Sequence, residues 1–194
     1  MKKSLLLIAL LSASVAFASP PAPKKEGIEG KDYKWNAEGG EKSEALKFKG
    51  DPKAGEEAYE VCGACPPDGT FPQLAGQHTT VLIKQMADIR AGTRDNPTMY
   101  PFAATLTDPK ELADAAAYIE SLCIPAEHGK YEGADAAMQI SKGKELYEKQ
   151  CLECHGKTGE GVKEKFYPVI AGQHYKYLLR QMTEIRDGHR RNAN

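Results

Sequence analysis

The chain has 194 residues, 41% hydrophobic and 27% charged, with 26 basic against 27 acidic side chains and a formal net charge of −1. Removal of an N-terminal leader carrying Lys2 and Lys3 leaves 24 basic against 27 acidic residues, or −3, which argues against a polyanion such as nucleic acid as partner. The length suffices for one ordinary domain or two small ones.

The first residues, MKKSLLLIALLSASVAFAS, combine a basic start, an apolar run from Leu5 to Leu11 and small residues at Ala16-Phe17-Ala18. This is the pattern of a secretory signal peptide over 1–18, cut before Ser19. The apolar run falls well short of the ~20 residues of a membrane-spanning helix, and no later segment is apolar enough to span. The mature chain is therefore expected to lack a transmembrane segment and to reside in the periplasm. Residues 19–50 are rich in Pro, Gly, Lys and Glu and read as a flexible leader.

From residue 51 the pattern turns helical. Asp51 is a cap and Pro52 a first-turn residue for a helix running into Cys62. Cys62 and Cys65 form a Cys-x-x-Cys pair followed directly by Pro66. Leu82, Met86 and Ile89 then fall at i, i+4 and i+7, predicting a helix with an apolar stripe. A third helix is expected in DPKELADAAAYIESL, with Asp108 as cap, Pro109 in the first turn and Glu111 in a capping-box position. Cys123 follows its apolar end and is expected to be a buried free thiol. Residues 51–123 thus form one unit, 124–135 a linker, and 136–194 a second unit containing CLECH at 151–155 and a second stripe of Leu178, Met182 and Ile185. No alternation of apolar and polar residues argues for a sheet.

The two units are copies. PQLAGQHTTVLIKQMADIRAGTRDNPT at 72–98 matches PVIAGQHYKYLLRQMTEIRDGHRRNAN at 168–194 in 13 of 27 positions, at an offset of 96. The cysteine pairs superpose at an offset of 89, so the first copy is 96 − 89 = 7 residues shorter between its cysteines and AGQH. The lost residues include the one facing His155.

CLECH carries the chemistry. Two thiols three positions apart can add to the vinyl groups of a haem, and the adjacent imidazole then faces the iron. A zinc site would want a second intact Cys or His pair, and none is present. A disulfide framework would leave His155 unexplained, although Cys62 and Cys65, without haem, would close as a disulfide in an oxidising compartment. The bland reading of Met86 and Met182 is core packing on helical stripes. His78 and His174 stand where helices begin, open to an iron role but explained equally by duplicated surface histidines. His128 and His189 read as isolated and solvated.

With CLECHGKTGEG, the doubled PxxAGQH and DNPTM at 95–99, residues 51–194 resemble the two-haem class I cytochromes c of the c-four type. The resemblance implies an all-α chain of two tandem class I cytochrome c-like helical domains, the second lacking its C-terminal helix. It implies haem c on Cys151 and Cys154 with His155 as the proximal iron ligand and the Pro168 carbonyl orienting the ring. It further implies Met99 as the distal ligand of a first haem on Cys62 and Cys65, and places Gln77, Gln173, Arg90 and Arg186 near the haem edges. Two departures stand against a full pair of haems. Pro66 occupies the histidine position of the first motif, and the counterpart of Met99 would be position 195, one past Asn194. One haem is expected, and two only if attachment tolerates Pro66.

The expected function is a soluble electron carrier, not an enzyme, meeting redox protein partners in small transient contacts. An open distal position would instead make the chain a haem enzyme or small-ligand sensor. A non-functional fragment of a two-haem cytochrome is the third reading.

Overall fold

The structure, a computed structural model, describes residues 44–63, 69–125 and 131–191. Residues 1–18, read above as a signal peptide, most of residues 19–50, Cys65, Pro66, His128 and the terminal residues 192–194 lie outside the described residues.

The first unit contains α1 (Pro52–Gly63), α2 (Thr79–Arg90), α3 (Tyr100–Thr105) and α4 (Pro109–Ser121). The expected caps operate. Asp51 Oδ1 accepts the Lys53 N–H at 2.9 Å, and Asp108 Oδ1 accepts the N–H groups of Lys110 and Glu111, each at 2.8 Å. Helices α1 and α4 cross closely because Gly55 has no side chain. A Cβ there would sit 2.0 Å from the Asp114 carbonyl oxygen. Beside this crossing the Tyr59 and Tyr118 rings lie 5.2 Å apart, and Asp114 accepts the Asp51 N–H at 2.7 Å.

Ala45, Ile83, Leu112 and Ala116 form the core, with Leu46, Leu82, Met86 and Leu106 packed against it. Ala45 is fully buried, so the core begins ahead of residue 51, inside the span read as a flexible leader. The stripe on α2 is wider than expected. Ile83 and Ile89 are buried while Leu82 and Met86 are half-buried, and the opposite face buries Lys84 and Asp88 as an ion pair at 2.5 Å.

The second unit contains α5 (Ala136–Gln150), α6 (Leu152–His155), a 3₁₀ turn (Lys163–Lys165) and α7 (Tyr175–Arg186). Among the described residues it has no counterpart of α4, and no residue of α5 is buried. Leu179, the counterpart of Ile83, is 54% exposed against 1%. Met182 is 66% exposed, which corrects its expected place in a core: α4 and residues 45–46 cover this face in the first unit, and nothing described covers it here.

No strands are present among the described residues, only isolated bridges at Arg94–Arg190 and Val162–Tyr167. None of the described helices is long and apolar enough to cross a membrane. The Cys123 thiol is exposed rather than buried, because α4 ends at Ser121 and the chain there leaves the core.

The units meet through reciprocal contacts, each related to its counterpart by the 96-residue offset of the repeat, as in a two-fold interface. Asp95 N–H donates to the His189 carbonyl at 3.0 Å, and Arg191 N–H to that of Thr93 at 3.2 Å. Arg94 and Arg190 share the side-chain oxygens of Gln85 and Gln181. Burial, and next the charge of Arg94, bring the Arg190 pKa down to about 10.

Candidate functional site

Cys151 closes α5, and the single turn of α6 that follows carries Cys154 and His155. The Tyr147 carbonyl and hydroxyl anchor this corner: the carbonyl accepts the Cys151 N–H at 2.9 Å, and the hydroxyl donates to the Gly156 carbonyl at 2.6 Å. Both thiols are free and half-buried.

After His155 the chain must turn back on itself. Gly156, Gly159 and Gly161 take positive φ, and a Cβ on Gly161 would stand 2.4 Å from the Tyr167 carbonyl oxygen. Glu160 ties the loop together by accepting from the Thr158 N–H at 2.7 Å and hydroxyl at 2.8 Å, and from the Lys157 N–H at 3.2 Å. These bonds, with its own backbone N–H first among them, bring the Glu160 carboxyl down to about 2.

The turn delivers the Pro168 carbonyl to His155, whose Nδ1 lies 3.0 Å from that oxygen. A carbonyl only accepts, so Nδ1 carries the proton and Nε2 is left with its lone pair for a metal. Two unbridged thiols and a ring held at Nδ1 constitute the donor set that covalent haem attachment requires.

The first unit does not offer that set. Cys62 ends α1 half-buried, but Pro66 has no donor atom for iron. Met99 is half-buried immediately before α3, its N–H bonded to Asn96 Oδ1 at 3.0 Å. Arg90 donates Nη1 to the Ala103 carbonyl at 2.6 Å and to that of Leu106, so it fixes the C-terminal end of α3. Burial lowers its pKa. Its counterpart Arg186 is exposed and pairs with Asp187 at 2.9 Å. The equivalence implied by the repeat therefore fails for this pair, because the second unit has no described helix equivalent to α3.

Gln77, Gln173, His78 and His174 serve the boundary between units. Gln77 brackets Val169, and Gln173 brackets Gln73. His174 is 8% exposed, and His78 places Nε2 at 2.9 Å from the Glu160 carbonyl and Nδ1 at 3.5 Å from Glu120. They are interface groups rather than surface histidines. Glu120 also accepts from Lys163 Nζ at 2.6 Å and from the Thr79 hydroxyl. Burial raises its pKa, but the bonds from Lys163, Thr79 and His78 outweigh it and leave the carboxyl below its ordinary value. Sequence reading did not assign these contacts, though one signal was present: Gln77, Gln85 and Arg94 all recur at +96 as identical polar residues.

Residues 140–194 match the cytochrome c family model. The chain is 36% identical to a cytochrome c4 of Azotobacter vinelandii, over 74% of this chain and 76% of that one. It is 39% identical to a thiosulfate dehydrogenase electron acceptor of Stutzerimonas stutzeri, over 63% and 58%. Among solved structures, reduced recombinant cytochrome c4 from Pseudomonas stutzeri superposes with a TM-score of 0.63 at 30% identity, covering 73% of this chain and 83% of that one.

Proposed function

The chain belongs to the cytochrome c4 family, and on that premise we propose that it carries electrons in the periplasm through one haem held at Cys151, Cys154 and His155. It is a c-type cytochrome of electron transfer whose cofactor is covalently bound haem c. The bound group supplies an iron that alternates between two oxidation states. Cys151 and Cys154 hold it by thioether bonds, and His155 presents Nε2 to the iron while Pro168 fixes the ring plane from the other side.

The observation that carries this reading is the 3.0 Å contact between His155 Nδ1 and the Pro168 carbonyl, in a loop shaped by Gly156, Gly159 and Gly161. The ring is oriented before any ligand is considered. No electron step is assigned to the first unit, where Pro66 leaves Met99 and Cys62 without a proximal imidazole.

A relative named as the electron acceptor of thiosulfate dehydrogenase supports a redox protein as the partner, met in a small and transient contact. Export by residues 1–18 and two units complete the proposal, the first running to residue 123 with Ala45 and Leu46 included in its core and the second spanning 136–194.

Intact mass of the protein, expressed with its leader in a host competent for cytochrome maturation, tests it. The expected mass corresponds to the chain from Ser19 plus one haem, lost from C151A/C154A. Colourless protein, or two haems per chain, overturns the reading.

A further inference from the structure

The peptide joining Pro168 to Val169 is bonded at both ends. Its carbonyl oxygen faces His155 Nδ1 at 3.0 Å, and its N–H donates to Gln77 Oε1 at 2.9 Å. Gln77 belongs to the first unit. Its Nε2 also donates to the Val169 carbonyl at 2.9 Å, so one side-chain amide brackets the residue next to Pro168. Nearby, the Glu160 carbonyl meets His78 Nε2 at 2.9 Å, and the Lys163 carbonyl accepts from the Thr80 hydroxyl at 2.7 Å. The first unit thus grips the 160–169 segment along its length.

From this geometry we infer that Gln77 is a positioning residue for the haem of the second unit, acting across the interface through one peptide group. Accepting the Val169 N–H polarises that peptide and makes the Pro168 oxygen a stronger acceptor, because hydrogen bonds in a chain reinforce one another. A stronger acceptor draws more of the Nδ1 proton and makes the His155 ring a better donor at Nε2. An electron-rich ring favours ferric over ferrous iron. The unit without a fitting haem set therefore tunes the one that has it.

The repeat supplies the control. Gln173 Oε1 accepts the Gln73 N–H at 2.7 Å and its Nε2 donates to the Gln73 carbonyl at 2.9 Å, the same arrangement in reverse. On that side the peptide begins at Pro72, and Pro66 stands where a histidine would receive the effect. Gln77→Leu and Gln173→Leu each remove two inter-unit bonds, yet only the first interrupts a chain ending on an imidazole.

The inference rests on haem at Cys151, Cys154 and His155, so haem content is measured first by mass on the wild type. Protein without haem defeats that reading. With haem bound, Q77L is expected to shift the reduction potential positive and move the His155 Nδ1 proton upfield in the NMR spectrum of the reduced protein. Q173L is expected to change neither. Equal shifts in the two variants, or no shift in haem-loaded Q77L, overturn the inference. Should Q77L not accumulate, Q77N, whose amide is one methylene too short to bracket Val169, is read against Q173N by the same criteria.

Discussion

Two carboxylates hold the segment after His155, and hydrogen bonds set the charge of both. Glu160 is drawn down to about 2 by donors in its own loop, and Glu120 is held below its ordinary 4.5 by Lys163, Thr79 and His78 against the opposing effect of burial. For a carboxyl depressed in the folded state, the stabilisation is complete above the unfolded pKa and is lost as pH falls through the folded one. Chemical denaturation is therefore expected to show constant stability from these groups above about pH 5, and a decline below about 4.5 that continues toward 2. E120Q is expected to lower stability at neutral pH and to flatten the upper part of that decline. The lysine at 163 then lacks its carboxylate, 43% exposed and able to hydrate, so the loss should stay within about 1 kcal/mol.

At the level of elements, the two copies show what a helix gains from its neighbour. Gly55 and Gly143 each precede a tyrosine by four residues, at Tyr59 and Tyr147. Gly55 faces the backbone of α4 at a distance no Cβ tolerates, whereas a Cβ on Gly143 meets nothing within 4 Å among the described residues. The same substitution should therefore have opposite signs. G55A is expected to destabilise by about 1–3 kcal/mol through forced separation of α1 and α4. G143A is expected to stabilise by about 0.5–1 kcal/mol, because Ala loses less backbone freedom than Gly in a helix. Thermal unfolding of the two variants against the parent checks both signs. The amphipathic pattern is equally visible in both copies, but only α2 has a covered face, so pattern alone did not tell Ile83 from Leu179.

Over the whole molecule the interface is polar and reciprocal. Gln181 Oε1 accepts from Arg94 Nη2 at 2.9 Å and from Arg190 Nη1 at 2.8 Å, and Gln85 Oε1 accepts from Arg94 Nη1 at 2.7 Å and from Arg190 Nη2 at 3.2 Å. Two buried guanidiniums thus depend on two amide oxygens. Q181L leaves donors of both arginines without that acceptor and is expected to cost about 2–3 kcal/mol in urea denaturation. R190L on the same background should recover part of the loss, since it removes one stranded donor and the like charge beside Arg94. A double-mutant cycle measures that non-additivity.

Much of this protein was legible from local patterns. The caps at Asp51 and Asp108, the CLECH motif and the 96-residue repeat each depend on residues close in sequence or on self-similarity, and so the helical units and the proposed site of haem attachment could be read directly. The contacts made by the repeated glutamines, arginines and histidines could not. An identical side chain at +96 is compatible with surface, core or interface until the copies are set against each other in space. Their packing makes Gln77 a clamp on Val169, buries His174, and leaves Met182 exposed while Met86 packs on the core. Burial depends on what covers a face, and that is decided by contacts between residues far apart along the chain.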